Sequence, residues 1–197
     1  MKRVLPHVAL ALVFAELLLI LVSWIMSAAM PMSGVRSLLS SEGIRWFLGH
    51  FADMLATPVL VWLLLLAMAW GCLHRCGILD VRHTYRSRRA WWLSVVFMVL
   101  YIGVVLLLTL MPHAVLLSVS GSLWPSPFSA SLIPVAGFGL LSTGIVYGVI
   151  AGSFQSLTDI YESLLHGLRQ AAPLLLFYFL LTQFYESLCF VFTSWAL

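Results

Sequence analysis

Charge is scarce in this sequence. Only 9% of its residues are Asp, Glu, Lys or Arg, against about 25% in a soluble domain. With 62% hydrophobic residues and a mean hydropathy of +1.07, that scarcity excludes an ordinary water-soluble fold. Segments of alternating apolar and polar residues are also missing, which argues against an outer-membrane barrel. The three cysteines make no disulfide framework. Cys72 and Cys76 close an apolar run beside a basic stretch, on the side where thiols stay reduced. Cys72, His74, Cys76 and His83 do not have the spacing of paired zinc ligands, so no metal is expected. A Gly-rich phosphate loop, a nucleophile elbow and paired carboxylates are absent from the sequence, and neither catalysis nor a cofactor is expected. The net charge of +3 and a pI near 9 could suggest nucleic acid, but the positive charges flank apolar runs, where membrane orientation accounts for them. No nucleic-acid partner is expected.

What the chain has instead is a succession of apolar runs near 20 residues, the length at which an α-helix crosses a hydrocarbon core of about 30 Å. The expectation is one all-α polytopic membrane domain over 1–197, with spans over about 5–27, 57–73, 91–111, 132–150 and 173–192. Two amphipathic helices, about 41–52 and 157–170, are expected to lie in the interface. In the first, Ile44, Phe47, Leu48 and Phe51 follow helical spacing, Ser40 or Ser41 can cap, and Glu42 falls in the first turn. In the second, Ser156 to Asp159 reads as a capping box. Ile160, Tyr161, Leu164 and Leu168 share one side, opposite Asp159, Glu162, His166 and Arg169. Residues 112–131 read as an external connection. Span 1 competes with a secretory signal ending near Ser27-Ala28-Ala29, but its length and Glu16 favour a retained helix.

Orientation follows from the stretch 74–90. Arg75, Arg82, Arg86, Arg88 and Arg89 lie there between two apolar runs, with Trp91 and Trp92 at the interface position. Holding this basic loop inside a bacterial inner membrane also places Lys2, Arg3 and Arg169 in the cytoplasm and leaves only Arg36 and Arg45 outside. The N-terminus is then cytoplasmic and the C-terminus external. Each surface helix leads into a span opened by proline, Pro58 or Pro173, one outside and one inside. That is the pattern of an inverted repeat, common in secondary transporters.

Polar residues inside spans are the candidates for function. Glu16 lies about ten residues into span 1, roughly 15 Å deep, where an ionised carboxylate costs at least about 2.5 kcal/mol. It reads either as a proton- or cation-coupling group or as a neutral acid bonded to a neighbouring helix. Ser23 and Ser27 share its face. Glu186 shares a stripe with Thr182, Gln183 and Thr193 in span 5, and interhelical bonding is the simpler role for it. Gly144, Gly148 and Gly152 form a ridge that allows close helix approach, as a dimer seam or as packing within one subunit.

Several stretches carry a family resemblance. SLLSSEGIRWFL (37–48), Met111-Pro112, WPSPF (124–128), VYGVIAGSF (146–154) and the tail from Asp159 through Gln183-Phe184 are similar to segments of the p-aminobenzoyl-glutamate transporter (AbgT) family. The resemblance implies a dimeric fold divided into a scaffold and a transport core. That core would contain two re-entrant hairpins whose polar loops hold substrate and coupling ion. The first hairpin would fall between Cys72 and Trp91, where this sequence has the basic loop, and the second after Trp195. No hairpin residue can be carried over, so the resemblance implies the scaffold and dimerisation part. The expected function is therefore a membrane scaffold or subunit, in contact with the bilayer, a second copy of itself or another membrane protein. The alternative is a minimal secondary transporter of an aminobenzoyl-glutamate-like or other organic anion, with Glu16 as coupling group. A third, weaker option is recruitment of a cytoplasmic partner through Arg82, Arg86, Arg88 and Arg89, a cluster for which orienting the chain and meeting anionic lipid is the simpler role.

Overall fold

The computed structural model describes residues 4–30, 34–78, 85–110 and 127–192. Among them every regular element is an α-helix: α1 (Leu5–Ala29), α2 (Ser41–Leu55), α3 (Pro58–Cys76), α4 (Tyr85–Leu110), α5 (Pro127–Ala151) and α6 (Leu157–Phe192). All but α2 are long and apolar enough to cross a membrane. The chain is an all-α polytopic membrane protein.

Local chemistry sets most helix ends. Ser40 caps α2, its hydroxyl accepting from the Gly43 N–H at 3.0 Å, with Glu42 in the first turn. Pro58 opens α3 and Pro127 opens α5, where the missing N–H costs no helical bond. At α6 the Asp159 N–H donates to Ser156 Oγ, and Asp159 Oδ2 accepts from the Ser156 N–H, which completes the expected capping box.

Three expectations need correction. The stretch 74–90 is not all loop: α3 runs through Arg75 to Cys76, and α4 already begins at Tyr85, so Arg86, Arg88 and Arg89 are helical. Arg82 lies outside the described residues. The connection placed over 112–131 is shorter, because α5 begins at Pro127; the rest of it falls outside the described residues. The largest difference is in α6. No break separates a surface helix over 157–170 from a span starting at 173; the two are one helix of 36 residues with Pro173 inside it, about 54 Å long at 1.5 Å per residue. Proline forfeits one backbone bond, yet membrane helices absorb that loss through their neighbours. Pro58 opens a helix and Pro173 does not, so the two halves of the suggested repeat differ at this point.

The chain divides into two units. In the first, Met1–Leu60 with Pro173–Leu197, an apolar cluster of Leu19, Val35, Leu38, Phe190 and Val191 joins α1, the segment before α2 and the end of α6. The Leu38 N–H donates to Ser23 Oγ at 3.3 Å, and the Arg36 N–H to the Val191 carbonyl at 3.2 Å. Helix α2 is docked along α6: Trp46 stacks on Phe190 at 4.3 Å, and Phe51 meets Phe179 edge-on at 6.0 Å. Ile44 and Leu48 of its expected apolar stripe remain exposed. The break between α2 and α3 is held by Tyr178, whose hydroxyl donates to the Leu55 carbonyl at 3.0 Å and pairs with Thr57 Oγ1.

In the second unit, Val61–Ala172, the core is Cys72, Cys76, Ala90, Tyr147 and Phe154. Here α3 and the first half of α6 cross at backbone contact. A methyl group on Gly71 or on Gly167 would strike the other helix's backbone.

Candidate functional site

Glu16 and Gln183, two of the residues expected at an intramembrane polar site, are linked in the first unit between α1 and α6. The Ser187 hydroxyl donates to Glu16 Oε1 at 2.6 Å and accepts, at 3.4 Å, from Gln183 Nε2 one turn earlier on α6. Ser187 is fully buried and Gln183 nearly so. Glu16 Oε2 and Gln183 Oε1 are buried acceptors with no partner among the described residues. A donor–acceptor chain thus runs from amide through hydroxyl to carboxyl, and it ends on a group that can take up one proton. Glu186 is half-buried and does not join this chain. Ser23, on the Glu16 face, instead serves the Leu38 N–H. Ser187 was the residue missed, although its i+4 spacing from Gln183 could have found it. Beside the carboxyl lies a cavity of about 200 Å³ walled by Ile20, Leu38, Phe47 and Leu48, almost wholly apolar.

The second unit shows why VYGVIAGSF takes its form. Tyr147 is buried and its hydroxyl pairs with Ser87 Oγ at 2.8 Å. Gly148 leaves room for the Phe154 ring, which folds back onto it. Helix α5 stops at Ala151 because Gly152 takes φ +83°, a conformation side chains resist. The Phe154 N–H then returns to the Gly148 carbonyl at 3.0 Å. Ser153 Oγ donates to the Cys76 carbonyl at 2.8 Å and so caps α3 as well. Gly144 rests against Cys72 Sγ and Leu73. The three glycines are therefore covered by their own chain, at three different contacts, and do not form one open seam.

The arginines separate by role. Arg86 Nε donates to the Ile150 carbonyl at 3.1 Å, and its guanidinium lies over Gly152, so it caps the carbonyl end of α5. Arg75, in the last turn of α3, pairs with Glu162 at 3.3 Å. Arg88 and Arg89 are exposed in the first turns of α4, where the helix dipole disfavours cations. Local helix stability does not account for that placement. The described residues contain no group of three His, Cys, Asp or Glu suited to a metal ion.

The Gly71–Gly167 crossing also went unseen in the sequence. Ala67 and Gly71 on α3, with Ser163 and Gly167 on α6, are two small-xxx-small pairs, the pattern that lets membrane helices touch.

No curated protein and no solved structure matches the chain. The model of the AbgT putative transporter family matches residues 82–192. The matched stretch includes the VYGVIAGSF turn, the long helix α6, and both Gln183 and Ser187 of the polar chain. On that match, covering more than half of its length, the chain belongs to the AbgT transporter family.

Proposed function

We propose that this chain serves as the bracing part of an AbgT-type assembly in the bacterial inner membrane. It would act as one membrane domain and work as a homodimer or as the membrane subunit of another chain, with its N-terminus cytoplasmic and its C-terminus outside. The observation that carries this reading is the long α6, which runs unbroken for 36 residues and is locked to α3 backbone-to-backbone at Gly71 and Gly167. Such a crossing has no side chains that can rearrange, so it suits a fixed frame better than a moving gate. With Gly144, Gly148 and Gly152 covered, a dimer would meet through other surfaces.

A second reading, a minimal secondary transporter of an organic anion, draws on the Glu16–Ser187–Gln183 chain and on the helix break at Ala56 and Thr57, since transporters bind cargo at interrupted helices. One experiment separates the two. Purified protein in proteoliposomes is assayed for uptake of p-aminobenzoyl-glutamate, with Glu16→Gln in parallel. The bracing reading expects no flux from either, together with stoichiometric recovery of a second copy or another membrane chain from native membranes. Flux that vanishes in Glu16→Gln would establish the transporter instead.

A further inference from the structure

Within the second unit, a groove of about 350 Å³ lies between the end of α3 and the first half of α6. Thr158, Tyr161, Glu162, His166 and Arg169 reach it from α6, at the three- and four-residue spacings of a single helix face, so Tyr161 lies with the polar residues and not on the apolar side expected for it. Arg75 closes it from α3. The crossing at Gly71 and Gly167 lies beside it and sets the distance between its walls.

The polar groups around it are held in one orientation. The Trp70 indole can only donate, and it donates to Gln170 Oε1 at 3.1 Å. That leaves the Gln170 amide N–H₂ directed at His166 Nε2, at 3.1 Å. The His74 ring lies 5.8 Å away, centroid to centroid. The groove thus offers two guanidiniums and two hydroxyls as donors. Its carboxylate, Glu162, is engaged by Arg75 at 3.3 Å. Nearby Asp159 faces its own helix start, accepting from the Gln155 and Ser156 N–H groups at 2.9 Å each. Arg75 is thus shared by Glu162 and Asp159, whereas Arg169 makes no ion pair among the described residues and is the guanidinium left to an incoming anion.

A phosphodiester carries one negative charge and oxygens that only accept. The setting points to its source. Trp70 is 53% exposed near the end of α3, the position that tryptophan takes at a membrane–water boundary, so the groove stands at headgroup level. Basic pockets between membrane helices are where anionic headgroups bind. We propose that the α3–α6 groove binds the phosphodiester headgroup of an anionic phospholipid in the adjoining leaflet.

The test uses the full chain in nanodiscs of phosphatidylcholine with or without phosphatidylglycerol. Lipid retained on the protein is read by native mass spectrometry, and thermal unfolding by circular dichroism. Phosphatidylglycerol should be retained over phosphatidylcholine and should raise the midpoint. Arg169→Gln should weaken retention about fivefold, the loss of one basic group at an anionic-lipid site. Tyr161→Phe, which keeps the ring, provides a milder variant should Arg169→Gln fold poorly, and it should weaken retention in the same direction. Arg45→Gln, exposed on α2, should leave retention unchanged. Equal loss from Arg45→Gln would mean diffuse charge attraction and would overturn the site. So would equal retention of both lipids. Equal protection by glycerophosphoglycerol or inorganic phosphate in phosphatidylcholine discs would show a soluble phosphate as the occupant and overturn the lipid assignment.

Discussion

Adding one methyl group at two different glycines should have opposite consequences. In Gly103→Ala, on α4, the new Cβ meets nothing within 4 Å. The helix simply gains the propensity difference between alanine and glycine, up to about 1 kcal/mol. In Gly167→Ala the same gain is available, but the new Cβ falls on the Ala67 carbonyl and lies 2.9 Å from Gly71 Cα. These are backbone atoms, so no rotamer change can relieve the overlap and α3 must retreat. Forced overpacking costs about 1–3 kcal/mol. Propensity cancels between the two variants, so Gly167→Ala should be less stable than Gly103→Ala by about that amount. Unfolding by SDS titration in mixed micelles, followed by circular dichroism, measures the difference. The double variant Gly71→Ala with Gly167→Ala should cost less than the sum of its parts, since one retreat accommodates both methyls. Equal midpoints for Gly103→Ala and Gly167→Ala would show that the two helices do not touch there.

Further measurements address the other contacts. Tyr178→Phe removes the hydroxyl that holds Leu55 and Thr57 and should cost about 1 kcal/mol, with faster amide exchange confined to 55–57; unchanged exchange would mean that the break is held by something else. Phe154→Ala should cost about 3 kcal/mol, and Gly148→Ala should be tolerated in that background but not alone, as read by melting temperature in detergent. A double-mutant cycle with Glu16→Ala and Ser187→Ala should give a coupling of about 0.6 kcal/mol and no more than about 1.7; zero coupling would separate the two helices' polar groups. Cysteines introduced as Ser40→Cys and Ser156→Cys should react with an impermeant thiol reagent from opposite sides of the membrane, and labelling from the same side would refute the proposed topology.

Much of this architecture can be read from composition alone, and the reason is physical. Crossing about 30 Å of hydrocarbon demands a run of known length, so Leu5–Ala29 and Tyr85–Leu110 announce themselves. Capping is also local, and Ser40 and Ser156 behave as their neighbours dictate. What could not be read is anything that depends on which helices become neighbours. Pro173 looks like a helix start in isolation, yet α6 continues through it. The glycine ridge on α5 looked like one seam because three glycines shared a spacing. In the fold each meets a different partner: Cys72, Phe154 and Arg86. Single glycines in α3 and α6 form the tightest crossing described, and each is unremarkable until the other is beside it. Of the polar site, Glu16 and Gln183 were legible as intramembrane polar residues. Their link was not, because Ser187 is an ordinary residue until a carboxyl from α1 reaches it.

Arg86 has a consequence for anyone who dissects this protein by charge reversal. In the proposed topology it is one more weight on the cytosolic side of the scale, but its guanidinium is also the clasp on the last turn of α5. Replacing it would loosen a helix end and shift the insertion bias in one stroke, so a misfolded product could pass for an inverted one. Arg88 and Arg89, which stand clear of such contacts, are the positions at which the proposed orientation can be tested without unbuttoning the fold.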